Sequence, residues 1–269
     1  MFDLDANGNG AIGGGAEQGF AIGFIGDVPP LNTALTITAL GSGAFASTIT
    51  SLPPSDFVPC FADGTTLWTK DGDKLVEDLR PGDQLISCPG NDFPTELATL
   101  LRVFRRRLSK IDLTANSKLR PIRILSGSLG EGLPKRDLLV SRQHKMLVRS
   151  KIAQRMFGST EVLIPAIKLT ELPGIFIEER IDSVEYFHLL FDEHKIIYAE
   201  GAPTESLYTG PEAVAGISPE ARAEILELFP EIINLNYKPK PARFIPSNKQ
   251  QKQLLFRHAR NCKPLLTLQ

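Results

Sequence analysis

The rhythm of apolar and polar positions divides the chain into three parts. From Cys60 to about Tyr208, short apolar runs alternate with turn residues, the pattern of an all-β domain. Strands are predicted at Thr65–Thr69, Gln84–Cys88, Ile122–Leu125, Leu138–Val140, Lys145–Val148 and Val162–Pro165. Gly and Pro chemistry places turns at Lys70-Asp71-Gly72-Asp73, at Arg80-Pro81-Gly82-Asp83 and around Gly127 to Gly132. The stretch Ser183–Gly201 predicts a hairpin, with Val184–Leu190 and Lys195–Ala199 flanking the polar Asp192-Glu193-His194.

On either side the pattern is different. Residues 1–57 are weakly patterned, Gly-rich from Gly8 to Gly15 and bounded by Pro53-Pro54, and predict a flexible leader with little core. Asp3-Leu4-Asp5-Ala6-Asn7-Gly8 resembles the opening of a calcium loop, but the closing position holds Gly14 rather than a bidentate Glu, which favours the leader over a metal site. After Tyr208, Ser218-Pro219-Glu220 starts a predicted helix reaching Phe229, and a second falls within Asn248–Ala259. The expected architecture is mainly β: a leader over 1–57, a compact β domain over 58–208 and a short helical, basic C-terminal extension over 209–269.

Composition narrows the function classes. Among the 269 residues, 42% are hydrophobic, enough for a real core, and the formal net charge of -1 sets up no global field for nucleic acid or a membrane surface, so neither partner is expected. Arg102 to Lys110 is a basic run, but alternation along a strand sends Arg105 and Arg107 to one face, which predicts a solvated strand edge. No stretch has the roughly 18 to 20 uninterrupted apolar residues of a membrane helix, and the start lacks a basic signal-peptide region. A cytoplasmic location and secretion by a signal-peptide-independent route both stay open. Cys60, Cys88 and Cys262 cannot all pair and none lies in a CxxC spacing, so the alternatives are buried structural thiols or a reactive one. No cofactor or metal set is indicated.

Candidate chemistry gathers in three blocks. The first is Cys60-Phe61-Ala62-Asp63-Gly64-Thr65 followed by Val76-Glu77-Asp78-Leu79-Arg80-Pro81-Gly82-Asp83. The second is Arg136-Asp137-Leu138-Leu139-Val140-Ser141-Arg142-Gln143-His144, and the third runs from Val184 through His188 and His194 to Ala199-Glu200-Gly201 and on to Ser206. In this order and spacing, over residues 60–206, the blocks resemble the Hint domain shared by hedgehog proteins and inteins, and specifically a bacterial group of it.

The resemblance implies a Hint-type fold and a single-turnover, self-cleaving reaction. Cys60 would attack the carbonyl of Pro59, turning the Pro59–Cys60 amide into a thioester, and water or another nucleophile would then release the chain's own N-terminal segment. His144 matches the histidine that polarises the scissile amide and protonates the leaving amine, with Ser141 holding that geometry. His194 matches the late-block histidine and would assist resolution of the intermediate. His188 stands where many members carry an acidic residue, and is either an alternative base or a strand residue. Splicing inteins end in His-Asn, whereas the comparable positions here are Glu205 and Ser206, which cannot form the succinimide, so full splicing is not expected. Pro59 restricts the approach to its own carbonyl. The alternative is a Hint-fold module kept for structure or interaction, with Cys60 unreactive.

Overall fold

Two antiparallel sheets organise the described residues, 59–90, 95–208 and 240–267 of a computed structural model. In chain order the first strands are β1 (Phe61–Ala62), β2 (Thr66–Thr69), β3 (Gly72–Leu75), β4 (Gln84–Ser87), β5 (Glu96–Thr99) and β6 (Arg102–Leu108). Helix α1 (Lys110–Ala115) precedes β7 (Ile122–Ile124), β8 (Leu138–Val140) and β9 (Lys145–Arg149). Helix α2 (Lys151–Phe157), β10 (Glu161–Pro165), α3 (Ala166–Leu169) and β11 (Ile175–Ile177) come next. The series closes with β12 (Val184–Leu190), β13 (Ile196–Ala199), β14 (Ala202–Glu205) and α4 (Asn248–Arg260).

One sheet has the order β11-β7-β8-β1-β12-β6; the other runs β10-β9-β14-β13-β2-β4-β5, with β3 paired to β2. Each of the six runs read as a strand outside the hairpin stretch forms one, its ends moved by no more than one residue. β6 is an edge strand with Arg105, Arg106 and Arg107 exposed, so the basic run is the solvated edge expected of it. The calcium-like stretch at Asp3 and the helix starting at Ser218 lie outside the described residues.

The predicted hairpin over Ser183–Gly201 is corrected. β12 pairs with β1 and β6 in one sheet, while β13 pairs with β14, β2 and β4 in the other. The polar turn between them switches sheets. The true hairpin is β13–β14, closed by Glu200-Gly201 between the paired Ala199 and Ala202. Both turn residues have positive φ, 49° and 77°, which a two-residue primed turn demands. Glu200 accepts that geometry because its buried carboxylate takes the Thr66 N–H at 2.7 Å and two hydrogen bonds from Arg136 at 2.7 and 2.8 Å. These contacts come from elsewhere in the fold and are invisible to local propensity.

The C-terminal segment packs into the main core. Gln251, Leu254, Leu255 and His258 are buried at the i, i+3, i+4, i+7 spacing of one helix face, and Ser247 with Gln250 closes a capping box at the start of α4. Leu254, Leu255, Leu265 and Leu266 join the same cluster as Val148, Val162 and Phe187. Arg243 reinforces the join by pairing with Glu161, which Arg149 also binds. Leu254→Ala, which empties a fully buried site, should cost about 2–5 kcal/mol in urea unfolding, whereas Phe256→Ala, at a residue 62% exposed, should cost no more than about 0.5 kcal/mol.

Candidate active site

Strand register assembles the site around Cys60. β1 sits between two antiparallel neighbours, with Phe61 opposite Phe187 of β12 and opposite Val140 of β8. Continuing each ladder by one residue sets Cys60 between His188 and Ser141, and the Ser141 N–H donates to the Cys60 carbonyl at 3.0 Å. The turn Ser141-Arg142-Gln143-His144, closed by a His144 N–H to Ser141 O bond of 3.1 Å, then carries the chain into β9 with His144 beneath β1. There the His144 ring meets Phe61 edge-on, centroids 4.5 Å apart.

Two side chains, Ser141 and His188, hold the Pro59–Cys60 peptide. The Cys60 N–H donates to Ser141 Oγ at 3.0 Å. The Pro59 carbonyl oxygen lies 3.0 Å from His188 Nδ1, and the Cys60 Sγ lies 3.7 Å from His188 Nε2. A carbonyl oxygen can only accept, so Nδ1 carries the proton and Nε2 presents its lone pair to the thiol. One imidazole thus touches both the carbonyl to be attacked and the sulfur that would attack it.

The surroundings favour neutral forms. Burial pushes the Cys60 thiol up to about 12, against a hydrogen bond from Ser141 and the charge of Arg106. Burial pushes His188 down to about 4, opposed by its bond to Pro59. Cys60 and Ala62 pack in a second apolar cluster with Leu108, Leu113, Val184 and Tyr186.

His144 and His194 belong to a neighbouring buried group. The His144 Nε2 lies 2.5 Å from Thr204 Oγ1. Because the Thr204 hydroxyl donates to Lys145 O at 3.0 Å, it accepts from His144, which leaves Nδ1 bare and without a hydrogen-bond partner. Burial pushes His144 down to about 4, with the Glu205 carboxylate pulling the other way. His194 Nδ1 accepts the Ala242 N–H at 3.0 Å, and its Nε2 lies 3.3 Å from Glu205 Oε2, at ion-pair distance but off the hydrogen-bond line. Glu205, fully buried, takes the Lys145 N–H at 2.7 Å and the Lys145 ammonium at 3.1 and 3.2 Å. Burial would raise its carboxyl, but Lys145 and His194 outweigh that and hold it at about 2.

The structure therefore brings Cys60, Pro59, Ser141 and His188 into direct contact, and sets His144 and His194 on Thr204 and Glu205. The bond to the Cys60 N–H comes from Ser141, not His144. Thr204 and Lys145 went unnoticed as site residues, since a threonine and a lysine in strands carry no signal until β14 is laid against β9. Glu205 stood out in the sequence only as a departure from His-Asn. Among the described residues no three His, Cys, Asp or Glu side chains gather as a metal site.

A family model described as Hint domain matches residues 59–211. Among solved structures the chain is similar to a bacterial intein-like domain from Clostridium thermocellum, at 15% identity, covering 55% of this chain and 97% of that one with a TM-score of 0.35. It is also similar to a DnaB intein from Synechocystis, at 11% identity, 55% and 98% coverage and a TM-score of 0.35. No curated protein matches.

The Glu205 carboxyl makes stability depend on pH. Its folded value, near 2, is depressed below the ordinary 4.5, so the stabilisation is complete above about 4.5 and disappears as pH falls through about 2. Urea unfolding at pH 6 and pH 3 should show a loss to which this group contributes about 2 kcal/mol. Glu205→Gln should lower stability at pH 6 and flatten that fall.

Proposed function

The chain belongs to the Hint domain family, and from that membership we propose that it processes itself at Pro59–Cys60 by an N-to-S acyl shift, releasing its N-terminal segment without splicing. The processing unit is residues 58–208, the released segment is the leader through Pro59, and residues 209–269 are an extension. The observation that carries the reading is the single His188 ring spanning the Pro59 carbonyl and the Cys60 thiol.

As Cys60 Sγ bonds to the Pro59 carbonyl carbon, the thiol proton passes to His188 Nε2. The negative charge developing on the carbonyl oxygen meets the Nδ1–H already pointed at it. Proton transfer and attack are concerted: burial raises the thiol and lowers the imidazole, so a resting thiolate–imidazolium pair is disfavoured. Collapse breaks the C–N bond, and the departing nitrogen takes a proton from His144 in its doubly protonated form while Ser141 holds the nitrogen in place. Base and acid assistance are each worth about 10² or more. The thioester then passes the leader to water or to another nucleophile, and the absence of asparagine at 205 and 206 leaves the C-terminal side joined. His194 contributes through Glu205 rather than at the sulfur.

A second reading, a Hint fold retained without chemistry, draws on the same burial that raises the thiol. Intact-mass measurement of the full chain with and without hydroxylamine separates the two. The processing reading expects a fragment beginning at Cys60, faster with hydroxylamine, none from Cys60→Ala, and at least about 10²-fold slowing in His188→Ala. A wild-type chain that stays whole under hydroxylamine leaves only the second reading.

A further inference from the structure

We propose that Ser150 and His258 form a second nucleophile–base pair, with Ser150 lining a cleft that takes small anionic esters and hydrolyses them through an acyl-Ser150 intermediate. The pair stands apart from the self-processing reading and uses none of its groups.

Ser150 follows β9 and caps α2, its Oγ accepting the Ala153 N–H at 3.1 Å. The same Oγ lies 3.0 Å from Nε2 of His258, on the buried face of α4. On the other side of that ring, Nδ1 lies 3.1 Å from the Lys263 carbonyl oxygen. A carbonyl only accepts, so Nδ1 carries the proton, Nε2 is a bare acceptor and the Ser150 hydroxyl donates to it. An imidazole placed in this way draws the proton from an attacking hydroxyl, here with a backbone carbonyl as the orienting group. Capping α2 occupies only a lone pair of Ser150; its proton is committed to His258. Burial lowers the His258 pKa against the bonds to the Lys263 and Pro264 carbonyls, which keeps the ring in the neutral form that a base needs.

The cleft, of about 1010 Å³, lies between α2 and the chain that follows α4, a size that suits a small molecule. Lys151, Arg155 and Lys263 line it with Arg149, which is already bound to Glu161, and Glu131 is the one acid among the lining residues. That balance favours an anion. The Arg149 N–H donates to Leu265 O at 2.9 Å and the Thr267 N–H to Arg149 O at 3.1 Å. The chain after α4 is thereby fastened one residue before Ser150, so one piece of packing places both the hydroxyl and its base. As Ser150 Oγ bonds to the acyl carbon, its proton passes to His258 Nε2. The ester C–O bond then breaks, and the alcohol leaves with that proton. Water attacks the acyl-serine in turn, giving a proton to Nε2 that returns to Ser150 as the acid departs.

A fluorophosphonate, which bonds to an activated serine oxygen with loss of fluoride, tests the pair in the full-length Cys60→Ala chain by intact mass and peptide mapping. Label is expected on Ser150. Ser150→Asn keeps a capping side chain and should take up none, and His258→Gln should slow labelling by about 10² or more. In the same chain, para-acetoxybenzoate should be hydrolysed with a kcat/KM about tenfold above that of its neutral methyl ester. Replacing Lys151 and Arg155 by Gln should erase that preference and leave the labelling rate unchanged. No label on Ser150, or undiminished labelling in His258→Gln, overturns the pair; equal rates on the two esters overturn the anionic substrate. If His258→Gln fails to fold, the mapped site and Ser150→Asn decide, and label in Ser150→Asn equal to that of its parent overturns the assignment. Because Cys60 is absent from the test, failure of self-processing leaves the result standing.

Discussion

The site depends on the seating of β1, a strand of two residues in the interior of a sheet. Phe61 is buried against the core and meets His144 edge-on, so the apolar fit of this one side chain fixes the register on both flanks. Side chains in a strand alternate with period two, and a slip of one residue would send Phe61 to the wrong face. The register that satisfies Phe61 therefore also sets the Cys60 thiol beside His188 and the Cys60 N–H on Ser141. Packing energy, not any attraction among Cys60, Ser141 and His188, brings these groups together.

Around that seat, buried polar groups are oriented by backbone and hydroxyl partners. A carbonyl fixes the proton of His188 on Nδ1, a threonine hydroxyl committed to Lys145 O fixes that of His144 on Nε2, and a backbone N–H fixes that of His194 on Nε2. Three histidines thereby hold defined tautomers, and burial keeps His144 and His188 uncharged in the resting state. Burial weakens the thiol as an acid and the two rings closest to it as bases, so the resting site is neutral apart from the Glu205–Lys145 pair. Buried networks of this kind are stable only when nearly every member is satisfied, and His144 Nδ1 and His194 Nε2 are the exceptions in this one.

Much of the strand framework was legible because each strand carries its own apolar pattern and its own Gly or Pro punctuation, as at Gln84–Ser87 and the Arg80–Asp83 turn before it. The hairpin error at Ser183–Gly201 shows the limit of such reading. Two good strands joined by a polar turn look alike whether they pair with each other or part into different sheets, and what decides is the competition of β1 and β6 for β12 and of β14 for β13. The turn at Glu200-Gly201 escaped notice for a related reason: a glutamate at positive φ is unfavourable alone and becomes acceptable only with Thr66 and Arg136 bound to its carboxylate.

The sequence by itself determined the strands β2, β4, β7 to β10, β12 and β13, the family resemblance and the identities of Cys60, Ser141 and His144 as residues of interest, since these follow from local pattern and the order of motifs. It left His188 open between base and bystander, and it named Glu205 only for what it is not. Tertiary structure set His188 between the Pro59 carbonyl and the Cys60 thiol and buried Glu205 against Lys145. Whether an imidazole faces a thiol, or a carboxylate meets an ammonium, depends on a strand register that joins residues up to 129 apart in the chain, and that register is set by core packing that no local window contains.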